Sequence, residues 1–245
     1  MKKKIVPEMD AVAEFDLYRH TYSEQINESL AFLGQEHGFY TKVKANYLST
    51  ILDNEQSNIV GKIKVLDVGC GHGLIHHHLL TNNKENLDLF GVDIASSVIE
   101  MAQLNNPTVN YQSYDGLKLP FPGNTFDIAF AICVMHHVPP LQWLDFLEEM
   151  KRVVKNNGIV IIFEHNPINP ITARIVKKCP LDKNAVLLRS KHMFELMQKV
   201  GLVDMSTKFI LFTPIDNLFF HKLDRKLNWL PLGAQYYTLA RKTKA

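Results

Sequence analysis

Short apolar runs alternate with amphipathic or polar segments between Lys62 and His165, and this alternation restricts the possible fold more than any other feature. Runs of this length are typical of buried strands, and helices that join such strands produce a parallel sheet covered on both faces. The runs are KVLDV, LDLFGVDI, VNYQSYD, FDIAFAI and IVIIFEH. We therefore predict an α/β fold built on a doubly wound, mostly parallel sheet.

The segments on either side of this region complete the predicted organisation. Residues 1–60 carry apolar side chains at helical spacing, so we expect an N-terminal helical cap that belongs to the same domain. Residues 61–245 would form the main domain, with an insertion near 166–190 that begins at the helix-breaking NPINP. Two last strands are expected at MSTKFILFT and QYYTLARK.

Composition excludes several classes of protein. The chain has 245 residues, of which 46% are hydrophobic and 21% charged, and a net charge of +2, as in ordinary soluble domains. Basic residues gather only at the two ends, at Lys2 to Lys4 and Arg241 to Lys244, and are interpreted as solvated tails rather than a basic face, so we expect no nucleic-acid partner. The apolar runs are too short for a bilayer span, so we expect no stable membrane insertion. No feature of the sequence specifies an oligomeric state.

Cysteine usage and the N-terminus favour a cytoplasmic location. The three cysteines are far apart and have neither metal-type spacing nor an even count, so a disulfide framework is not expected. No apolar stretch follows the lysines at residues 2–4, so we expect no signal peptide.

The stretch VLDVGCGHGL places three glycines directly after the first predicted strand. Glycines there favour a ligand that approaches bare backbone. Asp93 ends the second strand, 20 residues past Gly73, where a carboxylate can accept hydrogen bonds from both ribose hydroxyls. Asp115, after the third strand, is suited to the amine of adenine. Asp67 would repel a pyrophosphate and attract an amino group, which disfavours a dinucleotide.

The motifs VLDVGCGHG, GVDIA, YDGLKLPFPGNTFD, AICVMHHV and EEMKRVVKNNGIVIIFEH occur in that order between Lys62 and His165. Together they resemble the successive motifs of class I S-adenosylmethionine-dependent methyltransferases. The resemblance implies a Rossmann-like, seven-stranded sheet with its last strand antiparallel. It also implies an enzyme that uses S-adenosyl-L-methionine as its cofactor.

The resemblance further implies a role for each matching residue. The methionine part would lie against the glycines with its amino group near Asp67, the ribose would bind Asp93, and adenine would lie against Ile94 and Asp115. Cys133 to His136 would border the sulfonium, and the N-terminal helices resemble a cap that closes over the cofactor. The predicted cofactor-binding residues are Asp67, Gly69, Cys70, Gly71, Gly73, Asp93, Ile94, Asp115, Gly116, Cys133, Tyr18 and Tyr22.

Histidines are the candidate catalytic residues. His136 and His137 follow the fourth strand, and we expect at most one of them to face the methyl group; His165, at the end of the fifth strand, is the other candidate. The three histidines at 76–78 cannot converge on one ion, because successive helical residues are about 100° apart. We therefore expect no metal site, and we expect His78 to be the core residue of the three.

The methyl acceptor is expected to be a small molecule, with oxygen favoured over nitrogen or carbon. The chain lacks an Asn- or Asp-Pro-Pro-aromatic motif after the fourth strand and a Pro-Cys nucleophile, which argues against nucleic-acid bases. Two alternatives stay open. One is a nicotinamide-dependent oxidoreductase that uses the same crevice, and the other is a non-catalytic S-adenosylmethionine-binding partner subunit.

Overall fold

The computed structural model describes residues 27–28, 36–57, 59–83 and 86–243. Tyr18, Tyr22 and about half of the predicted cap lie outside the described residues. Seven strands are described: β1 (Ile63–Val68), β2 (Leu87–Asp93), β3 (Asn110–Ser113), β4 (Phe126–Ile132), β5 (Val154–His165), β6 (Leu202–Ile210) and β7 (Gln235–Lys242).

These strands form a single sheet in the order β3-β2-β1-β4-β5-β7-β6. Strands β1 to β5 pair in parallel, whereas β7 pairs antiparallel with both β5 and β6. The prediction of a doubly wound, mostly parallel sheet whose last strand is antiparallel is confirmed.

Helices cover both faces of the sheet. Apolar side chains of α1 and α2 pack in the core on one face, and those of α4 and α6 pack in the core on the other. The helices are α1 (His37–Gln56), α2 (Leu74–Asn83), α3 (Ser96–Asn105), α4 (Trp143–Val153), α5 (Pro170–Lys178), α6 (Ser190–Lys199) and α7 (Leu218–Leu227).

Strand β4 shows why the apolar runs are continuous rather than alternating. Ile128 and Phe130 belong to the core beneath α1 and α2, while Ala129 and Ala131 belong to the core beneath α4 and α6. Successive side chains of a strand point to opposite faces, so a strand buried on both sides needs an apolar residue at every position.

The segment predicted as an insertion runs from β5 to α6 and contains α5 and a 3₁₀ turn at Pro180–Asp182. The side-chain amide of Asn166 donates hydrogen bonds to the carbonyls of Pro231 (3.0 Å) and Gly233 (2.8 Å), which anchors the start of the segment. Further along, the N–H of Val186 donates to the carbonyl of His136 (2.8 Å). The segment therefore packs beside the loop that follows β4.

Of the helices within the described ranges, none combines the length and apolarity that a bilayer-spanning segment requires.

Candidate functional site

The loops after β1 and β4 meet at the carboxyl edge of the sheet. The strand order reverses between these two neighbours, and ligands of open α/β sheets bind at such a switch point. A Cβ built on Gly69 would lie only 2.5 Å from Cγ2 of Val134. The two loops therefore touch through a position that has room for glycine only.

The three loop glycines all have positive φ, at 78° for Gly69, 52° for Gly71 and 66° for Gly73. Their surroundings differ. A Cβ on Gly71 would meet nothing within 4 Å, so this residue borders open space. A Cβ on Gly73 would overlap the hydroxyl of Tyr111, so packing within the protein already accounts for that glycine.

Asp93 joins the glycine loop to the end of β2. Its Oδ2 accepts a hydrogen bond from the N–H of Gly71 (2.9 Å), and its Oδ1 accepts one from the N–H of Ala95 (3.1 Å). Burial raises the pKa of the Asp93 carboxyl, and these amide hydrogen bonds oppose the rise. The two carboxylate oxygens have four lone pairs, and the amides of Gly71, Ala95 and Ile94 use at most three of them, which leaves capacity for a hydroxyl donor.

Asp67 lies at the end of a buried hydrogen-bonded chain. Its Oδ2 is 2.9 Å from Nε2 of His76, and Nδ1 of His76 is 2.5 Å from the hydroxyl of Tyr111. Its Oδ1 is buried and has no hydrogen-bond partner among the described residues. Burial raises the pKa of Asp67, and the hydrogen bond with His76 opposes the rise. A buried carboxylate oxygen of this kind suits a cationic or N–H donor from a ligand.

His76, rather than His78, is the core residue of the three consecutive histidines. His76 is fully buried, whereas His78 is only partly buried, so the prediction for His78 is wrong. The reason is which side of α2 faces the core. Ile75 and Leu79 lie on that side, and His76 is adjacent to it. The polar partners Asp67 and Tyr111 make the burial of His76 tolerable.

Asp115 and Gly116 form the turn after β3. Oδ1 of Asp115 accepts hydrogen bonds from the N–H groups of Leu117 and Lys118, both at 2.9 Å, and Gly116 has a φ of 75°. Asp115 is exposed and Ile94, after β2, is half-buried. The two residues follow neighbouring strands, but their predicted contacts with adenine stay predictions.

The two cysteines predicted at the site have protonated thiols at neutral pH. Burial raises the pKa of Cys70 well above its ordinary value, and burial also raises the pKa of Cys133. The Cys70 side chain packs against β2 beside Gly91. Cys133 has a φ of 56°, and its Sγ is 3.6 Å from Nε2 of Gln235. Neither environment activates a thiolate nucleophile.

His136 and Glu164 form a buried pair at the ends of β4 and β5. Nδ1 of His136 is 2.6 Å from Oε2 of Glu164, and the exposed fractions of the two side chains are 1% and 0%. Oε1 of Glu164 accepts a hydrogen bond from the N–H of Met135 at 2.9 Å. Burial lowers the pKa of His136, but the neighbouring carboxylates of Glu164 and Asp182 together raise it well above the ordinary value. Burial raises the pKa of Glu164, but His136 and the other neighbouring histidines together lower it.

Asp182 and two further imidazoles surround this pair. Oδ1 of Asp182 lies 3.5 Å from Nε2 of His136 and 3.5 Å from Nε2 of His137. The ring of His165 lies 5.2 Å from that of His136, centroid to centroid. The structure therefore brings the three predicted catalytic histidines together in one cluster, which we call the histidine cluster: His136, His137, His165, Glu164 and Asp182.

Charge is unevenly distributed in the histidine cluster. Burial and the charge of His136 lower the pKa of His137 to about 3 and that of His165 to about 4. These two imidazoles are therefore neutral at pH 7, while His136 carries the positive charge. The side chain of His137 is 23% exposed, against 1% for His136, so His137 is the member of the adjacent pair that a ligand can reach.

Three residues of this edge were absent from the predicted set: His76, Glu164 and Asp182. Glu164 directly precedes a predicted candidate at the end of a strand, and that position is a usable signal. His76 lies at the site because of the way in which α2 is rotated about its axis, and Asp182 lies there because the segment between β5 and α6 folds back to it. No local sequence pattern predicts either position.

The fold and the matched segment of the chain are those of class I S-adenosylmethionine-dependent methyltransferases. Residues 66–162 match the family model described as a methyltransferase domain. The family recognised in the sequence is thereby confirmed, and S-adenosylmethionine is the cofactor that this family implies.

Curated relatives of the chain include a methyltransferase and a hydroxylase. The chain is 28% identical over 146 residues to demethylmenaquinone methyltransferase of Bacillus licheniformis, covering 52% of this chain and 61% of that protein. It is 38% identical over 98 residues to the mitochondrial arginine-hydroxylase NDUFAF5 of Rattus norvegicus, covering 39% and 27%. The chain thus spans between a quarter and three-fifths of the length of these relatives.

A solved S-adenosylmethionine-dependent methyltransferase from Thermotoga maritima has the same fold. It superposes with a TM-score of 0.64 at 15% identity, covering 94% of this chain and all of that one.

The contrast between Gly71 and Gly73 leads to a paired prediction. At positive φ, Gly→Ala costs about 1–2 kcal/mol of stability at either position. Gly73→Ala should cost about 1–3 kcal/mol more, because the methyl group overlaps Tyr111. Gly71→Ala should instead weaken binding of S-adenosylhomocysteine at least about tenfold, because its methyl group enters the open space beside Asp93.

Urea denaturation and titration calorimetry of the two variants check this prediction. Each variant serves as the control for the other. Unchanged S-adenosylhomocysteine affinity in Gly71→Ala would show that the open space is not part of the cofactor site.

Proposed function

We propose that this chain catalyses transfer of the methyl group of S-adenosylmethionine to an oxygen atom of a small-molecule acceptor in the cytoplasm. The observation that carries the proposal is the pair of carboxylates, Asp67 and Asp93, on either side of the open glycine loop. Within the described part of the chain, one of them has a buried oxygen without a hydrogen-bond partner, and the other has unused lone pairs.

The residues present fit the cofactor. Asp67 Oδ1 would accept from the amino group of the methionine part, Gly69 and Gly71 would leave room for its chain, and Asp93 would accept from the ribose hydroxyls. When bound, the cofactor supplies a methyl group already activated on a sulfonium. The task of the protein is then alignment, and positioning can account for about 7–11 kcal/mol of a reaction barrier.

The histidine cluster supports oxygen as the acceptor atom. A hydroxyl must lose a proton as it is methylated, whereas an activated carbon or a neutral amine needs less help. His137 and His165 are neutral imidazoles with pKa values of about 3 and 4, so they are weak bases that can accept a hydrogen bond from the hydroxyl and take its proton as methylation makes the oxygen strongly acidic. The positive charge of His136, held by Glu164, would meanwhile lower the pKa of a nearby acceptor hydroxyl.

A small acceptor is supported by the enclosure of the cluster. The 3₁₀ turn at Pro180–Asp182 places Asp182 beside the histidines, and Asp182 itself is only 13% exposed. The free cysteines of the described chain are consistent with a reducing compartment. One of the relatives, the demethylmenaquinone methyltransferase, is named for a small-molecule substrate.

Calorimetric titration with S-adenosylhomocysteine and, separately, with NADH tests the cofactor assignment. We expect saturable binding of the first only, and tight binding of NADH alone would favour the oxidoreductase alternative. A screen of hydroxylated small molecules, read out as release of S-adenosylhomocysteine, then tests the activity. Cofactor binding without turnover of any acceptor, relieved by a second protein, would favour the partner-subunit alternative.

A further inference from the structure

We propose that His136, His137 and Asp182 form a binding site for one divalent transition-metal ion, with Zn²⁺ as the best match. The site as such needs no assumption about methyl transfer. We further propose that the open coordination position of the ion holds the oxygen of the acceptor, and this role rests on the proposed function.

The spacing of the three ligand atoms fits a single small ion. Nε2 of His136 and Nε2 of His137 each lie 3.5 Å from the same Oδ1 of Asp182, and all three atoms lie within 4.8 Å of one another. In a tetrahedral zinc site with bonds of about 2.0–2.1 Å, neighbouring ligand atoms are about 3.4 Å apart. The two distances to Asp182 already match this spacing.

An orphaned nitrogen points to the ligand. His136 is 1% exposed, yet its Nε2 has no hydrogen-bond partner among the described residues. Its other nitrogen, Nδ1, is engaged by Glu164 at 2.6 Å, so Nε2 is the nitrogen directed toward Asp182 and His137. A bound ion would take the place of the proton on Nε2. A buried carboxylate behind a histidine is the usual outer shell of a metal-binding imidazole.

A proton on Nε2 explains the arrangement less well. A protonated imidazole facing a carboxylate is expected to form a hydrogen bond of about 2.7–2.9 Å. The observed 3.5 Å is too long for that bond and close to the separation of two ligands that share an ion. The charges also balance, because a divalent ion would neutralise the carboxylates of Glu164 and Asp182.

The ligand types select the kind of metal. Two imidazole nitrogens and one carboxylate oxygen suit Zn²⁺ and similar first-row ions, whereas Mg²⁺ and Ca²⁺ prefer oxygen ligands. Three protein ligands leave a fourth position open, as in catalytic zinc sites. His137 is 23% exposed and gives that position its access to a ligand. With the ion bound, its charge takes over the role of the His136 charge, and an acceptor hydroxyl at the open position would ionise more readily. His165, which is not a ligand, is then the imidazole that can take the proton.

Neither the triple histidine at 76–78 nor the cysteine spacing forms a metal-binding pattern, so the sequence predicts no metal site. The proposed site combines a dipeptide after β4 with an aspartate from the segment after α5, which no local spacing reveals.

Zinc titration of the full chain tests the site. The protein, prepared without a histidine tag and treated with a chelator, is titrated with Zn²⁺ in competition with a chromophoric chelator, and with Co²⁺ for the visible absorption of a tetrahedral ion. We expect one equivalent to bind. Asp182→Asn and His137→Gln should each weaken Zn²⁺ binding at least about tenfold and abolish the Co²⁺ signal. The matched control His192→Gln, at a half-exposed histidine of α6, should bind as the wild type does.

The outcomes separate this site from the proposed function. Absence of stoichiometric binding by the wild type, or unchanged affinity in both Asp182→Asn and His137→Gln, overturns the site. Should either variant fail to fold, X-ray absorption of the zinc-loaded wild type decides, since two imidazole ligands are required. Calorimetry with S-adenosylhomocysteine is run on the same preparations. Metal binding without cofactor binding supports the site and contradicts only the role of its open position.

Discussion

Replacing Asp93 with alanine is expected to weaken binding of S-adenosylhomocysteine by about 10- to 100-fold. The carboxylate would accept hydrogen bonds from ribose hydroxyls, and a hydrogen bond to a charged group contributes about 1.5–3 kcal/mol. The same carboxylate holds the N–H of Gly71, so its loss also loosens the loop that borders the cofactor. Titration calorimetry measures the affinity directly.

Two further variants sharpen the test. Asp93→Asn keeps one oxygen acceptor and should lie between the wild type and Asp93→Ala. Asp88→Ala changes an aspartate of the same strand that lies before its carboxyl end, so it should bind S-adenosylhomocysteine normally. If Asp93→Ala binds as tightly as Asp88→Ala does, the ribose assignment is wrong and the proposed function loses its main support.

Glu164→Ala is expected to lower the free energy of unfolding by about 3–5 kcal/mol, the usual cost of removing one partner of a buried ion pair. Glu164 is fully buried and accepts from Nδ1 of His136 and from the N–H of Met135. Without it, a buried imidazole and a buried amide lose their acceptor together. Urea denaturation followed by circular dichroism measures the loss.

The matched control for this variant is Glu148→Ala. Glu148 is an exposed glutamate of α4, and its replacement should change the free energy of unfolding by no more than about 0.5 kcal/mol. Glu164→Gln should fall between the two, because its amide oxygen can still accept from Met135 while the charge is gone. Equal stability of Glu164→Ala and Glu148→Ala would contradict the buried pair.

The sheet was predictable because each strand corresponds to a short apolar run of consecutive residues. The run FDIAFAI coincides with β4, and QYYTLARK coincides with β7. A strand buried on both faces needs apolar residues at every position, and that requirement leaves a continuous signal in a few residues. The positions of the glycine loop and Asp93 were predictable for a similar reason, since the loop directly follows β1 and Asp93 is the last residue of β2.

The side-chain partners were less predictable, because they come from distant parts of the chain. The burial of His76 depends on which side of α2 packs against β1 and on Tyr111, which belongs to β3. The apolar pattern of the sequence predicts His78 in the core instead, and that prediction is wrong. Asp182 reaches the histidine cluster only because the segment after α5 folds over the loop that follows β4.

The sequence by itself determined the parallel sheet, the order of its motifs and the class of cofactor, because hydrophobic periodicity and strand-end motifs are local properties of the chain. Only the tertiary structure decided that Gly71 borders open space while Gly73 is closed by Tyr111. It alone also placed Glu164 and Asp182 on opposite sides of His136. Contacts of that kind depend on how several elements pack together, and no short stretch of sequence encodes them.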